Sequence, residues 1–283
     1  MLPSSPETVE ALSYPDFVGV IRETNRCPGG KQTVNRIARL VGPDASSRIL
    51  EVGCSTGFTS FELATITRSR VTGIDIAAAA ITEAKRLQSL YPAEIAERVT
   101  FERCDLRMAP SLYDPFDLVI AGGATSFMNE KQEALEAYRR LLKPFGMLSL
   151  TNLFYHTIPP AEMISEVSQA IGTAIEIRDA RAWVRLFAGT GLEIYHVETH
   201  RLKPRPTSDI ETYVARMVDQ PHLAVLDRAT REAVHARWLR TMVAFNNNHA
   251  YLGYVLVLLR NNPLGEQTEL FFAEDRFDLD GET

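Results

Sequence analysis

The stretch Ile49-Leu-Glu-Val-Gly-Cys-Ser-Thr-Gly-Phe-Thr59 decides the fold of this 283-residue chain. It begins as an apolar run typical of a buried strand and continues as a turn that glycines interrupt. A strand, a glycine turn and a helix in this order let a ligand approach the backbone and meet the free amides of the helix N-terminus. An acid, Glu51, lies two residues before the first glycine, Gly53. The stretch therefore predicts a ligand site at the carboxyl end of the first strand.

The acid narrows the class of ligand. In the dinucleotide fingerprint GxGxxG the helix amides face a pyrophosphate, and a carboxylate beside two phosphates costs several kcal/mol. Glu51 instead suits a ligand with a positive pole, such as the ammonium and sulfonium groups of S-adenosylmethionine. At this point the chain resembles the class I S-adenosylmethionine-dependent methyltransferases, whose first motif reads roughly acid-x-Gly-x-Gly-x-Gly. The motif stands here as Glu51, Gly53, Ser55 and Gly57.

Serine replaces the middle glycine of that motif. Ser55 fits a tight turn if its φ is negative, whereas a positive φ costs about 1 kcal/mol relative to glycine. Its hydroxyl has the chemistry to bind the methionyl carboxylate. The position is therefore a departure from the family pattern that still allows cofactor binding.

Two more acids end the next two predicted strands. Asp75 closes the run Arg70–Ile76 at the offset from the glycine turn where a carboxylate binds the two ribose hydroxyls. The resemblance implies that Asp105 accepts a hydrogen bond from the adenine amine and that the backbone after it contacts the ring. The cofactor-binding residues predicted in this way are Glu51, Gly53, Cys54, Ser55, Gly57, Asp75, Ile76, Cys104, Asp105, Leu106 and Gly122.

Composition excludes several classes of protein. Apolar residues make up 45% and charged residues 23% of the chain, which is ordinary for a globular protein. The sequence has neither an apolar run long enough to span a membrane nor a signal-peptide pattern at its start, so we expect a cytoplasmic protein without a membrane partner. Three cysteines without CxxC spacing indicate neither disulfides nor zinc.

The net charge of −6 lies in the last twenty residues, which hold seven acids and one base. The rest of the chain is formally neutral, so no basic face for nucleic acid is expected. Within this acidic tail, Leu270-Phe-Phe-Ala273 is apolar enough to dock as a strand or to pack on a partner subunit.

Alternating strands and helices predict an α/β fold with a doubly wound, mostly parallel, seven-stranded sheet. The resemblance adds that the last strand lies antiparallel between strands five and six. The predicted strands span residues 48–53, 70–76, 98–104, 116–121, 147–153, 191–198 and 251–259. The predicted helices span residues 57–67, 78–90 and 129–143, with more between 160 and 190. A turn at Pro144-Phe-Gly146 is expected to lead into strand five.

Helical patterns flank this core. Residues 7–25, broken at Pro15, and residues 31–41 precede it, separated by a Cys27-Pro-Gly-Gly30 turn; the resemblance implies a lid. About fifty residues separate the last two strands, with helical spacing at 208–218 and 228–245. They form either a cap over the pocket or a dimerisation arm. The predicted division is lid 1–30, core 31–204, cap 205–249, last strand 250–263 and acidic tail 264–283.

Methyl transfer is an in-line displacement, so the protein mainly aligns the acceptor, and a base is needed only if the acceptor loses a proton. His156 follows strand five, His249 precedes the last strand, and Tyr14 lies on the leading helix; these are the predicted catalytic residues. Each histidine could equally be a plain surface residue, and no Asp/Glu/His cluster indicates a metal.

The sequence thus predicts methyl transfer from S-adenosylmethionine to an oxygen or nitrogen of a small organic acceptor. Transfer to carbon stays open, as does a regulatory protein that binds the cofactor without catalysis. An NAD-dependent oxidoreductase is disfavoured by Glu51 and by the absent third fingerprint glycine. Expected partners are the small-molecule acceptor, no nucleic acid, and a second copy of the chain through the cap or the tail.

Overall fold

Residues 2–265, which the computed structural model describes, form seven strands and twelve α-helices. The strands are β1 (Arg48–Val52), β2 (Arg70–Asp75), β3 (Val99–Arg103), β4 (Phe116–Gly122), β5 (Leu142–Tyr155), β6 (Glu193–Arg201) and β7 (Leu252–Arg260). The helices are α1 (Pro6–Ala11), α2 (Tyr14–Val20), α3 (Lys31–Val41), α4 (Phe58–Thr67), α5 (Ala78–Gln88), α6 (Ala93–Ala96), α7 (Ala109–Leu112), α8 (Lys131–Arg140), α9 (Ala161–Ile171), α10 (Ala180–Ala188), α11 (Thr207–Val218) and α12 (Arg228–Asn248). The predicted docking segment Leu270–Ala273 lies outside the described residues.

The strands form one sheet in the order β3-β2-β1-β4-β5-β7-β6. β1 to β5 pair in parallel, and β7 runs antiparallel to both of its neighbours. The predicted α/β fold and the position of its antiparallel last strand are confirmed. The strand order reverses between β1 and β4, which is where ligands bind in doubly wound sheets. Glu51 lies at this point, opposite Ile120 of β4.

Strand β5 begins earlier than the sequence predicts. Leu142 already pairs with Phe116, and the register shifts before Met147 pairs with Leu118. The intervening Phe145 has φ +63°, and Gly146 packs where a Cβ would lie 2.9 Å from the Lys143 carbonyl oxygen. The predicted turn at 144–146 is therefore a bulge inside the strand, because the chain kinks without leaving the sheet.

Two apolar layers cover the sheet. One face packs Leu50, Val119 and Leu150 against residues of α8 and α10, and the other packs Ile49, Leu118 and Leu256 against residues of α3 to α5. Strand residues are buried on both faces, as expected for parallel strands between helices. This packing fixes the carboxyl ends of β1, β4 and β5 as the edge that is left for a ligand.

A third apolar cluster joins the N-terminal helices to the insertion between β6 and β7. Its buried members come from α1 and α2 and from the segment 214–238, with Phe17 and Trp238 at its centre, 5.9 Å apart between ring centroids. The break expected at Pro15 lies slightly earlier, at Leu12 and Ser13 between α1 and α2. Ser13 caps α2 and Pro15 occupies its first turn, where proline costs no hydrogen bond. Below, "lid" denotes α1 and α2, and "cap" denotes α11 and α12.

Candidate active site

The loop after β1 requires glycine at two positions, because the backbone has a positive φ there and because a side chain would have no space. Gly53 has φ +72° and Gly57 has φ +90°, values that favour glycine. A Cβ on Gly53 would lie 2.5 Å from Cβ of Ala124, and one on Gly57 would lie 2.5 Å from Cζ of Phe101. Because Ala124 belongs to the loop after β4, the two loops at the strand reversal touch. We call residues 53–57 the glycine loop.

Ser55 adopts a positive φ, +48°. It therefore does not have the negative φ at which serine would fit the turn without cost. The serine holds a left-handed conformation at a cost of about 1 kcal/mol. Two contacts fix it there. Its backbone N–H donates to Oδ2 of Asp75 at 2.9 Å, and its hydroxyl accepts from the Asn25 amide at 3.3 Å.

The N-terminus of α4 is open to an anion. Gly57 caps it without a side-chain hydrogen bond, which leaves the first backbone amides of the helix unpaired by a capping side chain. Behind the loop, Glu51 is buried and accepts a hydrogen bond from the Ser60 hydroxyl at 2.5 Å. Burial raises the pKa of Glu51 to about 7, and the Ser60 hydrogen bond opposes that shift. The N-terminus of α4 therefore suits the carboxylate of a ligand. Glu51 at the base of the loop suits a cationic group, because a nearby positive charge favours the ionised form of its carboxyl group.

Asp75 and Ile76 present an acid and an apolar surface side by side. Each oxygen of Asp75 accepts one backbone N–H, from Ser55 at 2.9 Å and from Ala77 at 2.9 Å. These bonds orient the carboxylate and leave lone pairs for a further donor. Ile76 is 66% exposed, which is unusual for its type and provides apolar surface next to the acid.

The end of β3 contributes mainly backbone. Leu106 is buried in the core, and Cys104 is half-buried with its thiol directed at the Asp105 carbonyl. The Asp105 carboxylate forms an ion pair with Arg107, 2.6 Å from Nη2, and this contact keeps the pKa of Asp105 low. The Cys54 side chain is likewise buried, so its backbone is the part that a ligand can reach.

The segment between α2 and α3 crosses over these loops. Thr56 donates its hydroxyl to the Glu23 carbonyl at 3.0 Å, and Asn25 contacts Ser55. Further along, a Cβ on Gly122 would lie 2.7 Å from Cβ of Cys27. Residues 22–27, called the strap below, thus cover the carboxyl ends of β1 and β4.

The structure places the three predicted catalytic residues on separate elements. His156 directly follows β5 and its backbone N–H donates to the Tyr251 carbonyl at 3.0 Å. His249 ends α12, where burial lowers its pKa. Tyr14 stacks edge-on against Phe245, 5.8 Å between centroids, and burial followed by the charge of Glu23 raises its pKa. The structure therefore brings Tyr14 to the C-terminal half of α12, which His249 ends.

Comparison with known proteins identifies the family. Residues 43–196, more than half of the chain, match the family described as a methyltransferase domain. The chain belongs to this methyltransferase family. It uses S-adenosylmethionine as methyl donor. The helix amides, the buried acid and Asp75 in the glycine-loop region have the chemistry to hold that cofactor, so the residues present fit it.

The chain is similar in sequence or in fold to several characterised proteins. The 27-O-demethylrifamycin SV methyltransferase of Amycolatopsis mediterranei is 24% identical over 236 residues, covering 80% of this chain and 81% of that protein. The crystal structure of the MccD protein shares the fold with a TM-score of 0.68 and 20% identity, covering 83% of this chain and 99% of that one. A geranyl diphosphate C-methyltransferase from Streptomyces coelicolor, in complex with Mg2+, geranyl diphosphate and S-adenosyl-L-homocysteine, shares it with a TM-score of 0.56 and 15% identity, covering 82% and 78%.

The methyltransferase has polar side chains around the strap and β5 that the sequence did not single out. Tyr213 of the cap donates its hydroxyl to Oε2 of Glu23, 190 residues away in the chain. No local pattern marks this pair, since Tyr213 is one apolar position of a predicted helix and Glu23 is one acid near the end of the leading helical pattern. Within residues 2–265, two buried amide oxygens also lack a hydrogen-bond partner, that of Asn152 in β5 and that of Asn248 beside Tyr155.

Asn246, near the end of α12, has a structural role. Its amide oxygen accepts the backbone N–H of Arg205 at 2.7 Å, and its amide nitrogen donates to the Arg205 carbonyl at 2.9 Å. It therefore fastens α12 to the chain after β6.

Within residues 2–265 no group of three or more His, Cys, Asp or Glu side chains is placed to bind a metal. Over the same residues, none of the helices is both long enough and apolar enough to cross a membrane.

Proposed function

We propose that this methyltransferase transfers the methyl group to an oxygen or nitrogen atom of a small organic acceptor held between the strap, the lid and the cap. The observation that carries the proposal is the covering of the glycine loop by the chain itself. Thr56 bonds the strap, and Tyr213 of the cap bonds the same residue of the strap, Glu23. A site closed in this way accommodates a small molecule and excludes water, whereas a macromolecular acceptor needs an open groove.

The cofactor is assigned to the residues at the ends of β1, β2 and β3. The N-terminal amides of α4 suit the methionyl carboxylate, and Glu51 suits the ammonium group. Asp75 offers two oxygens to the ribose diol, and Ile76 offers apolar surface to the adenine. Asp105 is assigned to the adenine amine with its outer side neutralised by Arg107. The bound cofactor supplies an electrophilic methyl group on a positively charged sulfur.

The protein's own contribution is alignment and exclusion of water. An in-line displacement gains most of its acceleration from holding the two reacting atoms in line at contact distance. The buried amide oxygens of Asn152 and Asn248 are acceptors for hydroxyl or amine protons of the acceptor molecule. His156, His249 and Tyr14 are proposed to contact the acceptor around them. Exposed Phe127, Leu153 and Ile158, on or next to β4 and β5, supply apolar surface for its carbon skeleton.

Calorimetry with S-adenosylhomocysteine, S-adenosylmethionine and NAD tests the cofactor assignment. Binding of the first two without NAD supports it, whereas tight NAD binding alone would overturn it. Transfer is then followed by mass spectrometry with deuterated S-adenosylmethionine and a panel of phenols, alcohols, amines and 27-O-demethylrifamycin SV. The position of the label in the product separates oxygen, nitrogen and carbon transfer. Cofactor binding without transfer to any acceptor favours a regulatory protein instead.

The same assay tests the histidines. His156→Ala and His249→Ala are expected to lower transfer while leaving S-adenosylhomocysteine affinity unchanged, because within residues 2–265 neither histidine has a hydrogen bond to the glycine loop. His235→Ala is the matched control, since that histidine lies within the first half of α12. Equal activity of all three variants would remove the imidazoles from the acceptor site.

A further inference from the structure

The strap has one side on the glycine loop and the other side under the cap. Its turn begins at Arg22, which has φ +56°, and its backbone then meets the loop through the Thr56 bond to the Glu23 carbonyl. Asn25 and Ser55 add a second bond between them. The backbone of Glu23 is thus fixed directly beside the loop that carries the methyl donor.

The side chain of Glu23 turns from that loop toward the cap. Its Oε2 takes the Tyr213 hydroxyl, and within residues 2–265 its other oxygen, Oε1, takes no hydrogen bond. Burial raises the pKa of Glu23, and the Tyr213 hydrogen bond and the charge of Arg26 oppose the shift. Tyr14 of the lid is the further titratable group that its charge affects. A carboxyl group therefore stands between cofactor loop, lid and cap with one oxygen free.

We propose that Glu23 is the catalytic residue that accepts the proton of an acceptor hydroxyl group, and that Tyr213 positions its carboxylate. The inference rests on the proposed function and narrows it to transfer to oxygen. A lone pair of the acceptor oxygen forms the new C–O bond as the C–S bond breaks and its electron pair passes to sulfur. The hydroxyl proton goes to Oε1 of Glu23 and is later released to solvent. The positive charge of the sulfonium and the negative charge of Glu23 are both neutralised, so charge balances.

A purely mechanical role is the rival explanation, since the Glu23–Tyr213 bond also ties the cap to the strap. A glutamine at position 23 distinguishes the mechanical role from the role as proton acceptor. Glu23→Gln keeps the size and can still accept from Tyr213, but it cannot take a proton. Glu10 provides the matched control, because it ties the lid to the cap through Arg240 at 2.7 Å on the exposed side of the protein. Glu10→Gln breaks a lid-to-cap contact without touching the strap.

The experiment measures transfer from S-adenosylmethionine to phenol and to 4-nitrophenol by wild type, Glu23→Gln, Tyr213→Phe and Glu10→Gln. At about pH 8.5 phenol keeps its proton, as a tyrosine does, whereas 4-nitrophenol has lost it. We expect Glu23→Gln to lower kcat for phenol about 100-fold or more and for 4-nitrophenol less than about tenfold. Tyr213→Phe is expected to move the rising limb of the phenol pH–rate profile, and Glu10→Gln to change neither rate.

A spectroscopic titration gives a readout that needs no turnover. 4-Nitrophenol is bound to the S-adenosylhomocysteine complex, and its visible phenolate band is followed against pH. If Glu23 faces the acceptor oxygen, the two groups share one proton, so the pKa of the bound phenol rises by about one unit or more. In Glu23→Gln that rise is expected to vanish. Identical titrations in wild type and Glu23→Gln, or equal loss of rate with both phenols, would overturn the proposal.

The remaining outcomes separate this inference from the proposed function. A wild-type protein that binds S-adenosylhomocysteine but neither binds nor methylates the hydroxyl probes shows that the acceptor group is not a hydroxyl, which overturns the role of Glu23. A protein that does not bind S-adenosylhomocysteine at all overturns the proposed function itself.

Discussion

The guanidinium carbon of Arg237 lies 4.3 Å from the centroid of the Phe17 ring, with the arginine in α12 of the cap and the phenylalanine in α2 of the lid. The same side chain, 9% exposed, donates to the carbonyls of Val9 and of Leu12, the latter at 2.8 Å. It therefore binds the carbonyl end of α1, where a positive charge is favourable. One cap residue thus holds both helices of the lid.

Replacing that arginine is expected to loosen the lid. Arg237→Lys cannot reach both carbonyls and stack on Phe17 at once, so we expect the free energy of unfolding to fall by about 1–3 kcal/mol. Arg240→Lys, at an exposed ion pair on the same helix, is the control and is expected to cost less than about 1 kcal/mol. Denaturant titration gives the stabilities, and hydrogen exchange over residues 6–20 shows where protection is lost. Unchanged exchange there would contradict the role of Arg237.

Cofactor affinity is expected to depend on the ionisation of Glu51. Because burial raises its pKa to about 7, the group is partly protonated below that pH, and binding of a cationic ammonium must release the proton. Affinity for S-adenosylhomocysteine is therefore expected to rise about tenfold per unit from about pH 5.5 to about pH 7 and then level off. Glu51→Gln is expected to bind weakly and without this pH dependence. Calorimetry in two buffers of different ionisation enthalpy counts the released protons, and none released at about pH 6 would refute the prediction.

The same group sets a pH trend in the stability of the free protein. Between the ordinary pKa of 4.5 and about 7 the folded protein keeps a proton that the unfolded chain has lost. Its contribution to stability is therefore complete below the ordinary value and is lost as pH rises through about 7. Glu51→Gln is expected to be the more stable protein above about pH 7, by up to about 3 kcal/mol, and the difference is expected to disappear at low pH. Urea unfolding at several pH values measures both curves.

Alanine substitutions at two glycines are expected to distinguish the cost of backbone strain from the cost of a steric clash. Gly53 and Gly172 have similar φ values, +72° and +69°, but only Gly53 has a neighbour where the new Cβ would go. Gly172→Ala is expected to cost about 1 kcal/mol of stability, and Gly53→Ala about 2–4 kcal/mol with loss of S-adenosylhomocysteine binding. Thermal unfolding and calorimetry measure the two effects. Equal costs would show that the contact with Ala124 yields easily.

Ser55 allows the turn and the hydroxyl to be tested apart. Ser55→Gly removes both the Cβ strain and the hydroxyl, whereas Ser55→Ala removes the hydroxyl alone. We expect Ser55→Gly to be at least as stable as wild type, by up to about 1 kcal/mol. If the hydroxyl binds the methionyl carboxylate, both variants lose about 1 kcal/mol of affinity for S-adenosylhomocysteine. If the serine only makes the turn, neither does, and calorimetry distinguishes the two results.

The sequence was sufficient to predict the sheet and the position of two acids at its edge. Strands of a parallel sheet are continuous apolar runs, and an acid that ends such a run must lie at the carboxyl edge, so Glu51 and Asp75 could be placed from spacing alone. The ends of helices and strands were less well predicted where the same type of residue, such as proline or glycine, occurs in more than one backbone conformation. The break expected at Pro15 lies at Leu12 and Ser13, because the proline occupies the first turn of α2, and the Pro-Phe-Gly segment expected as a turn is a bulge within β5.

By itself, the sequence determined the α/β fold, the strand that carries the glycine loop and the type of ligand that its acid prefers, because each depends on residues close together in the chain. Only the tertiary structure decided which side chains close over that loop. The Tyr213–Glu23 bond and the Arg237 contacts with the lid join segments about two hundred residues apart, and no local periodicity specifies such a pairing. The φ of Ser55 was decided in the same way, since the bonds from Asp75 and Asn25 hold it in a conformation that serine alone disfavours.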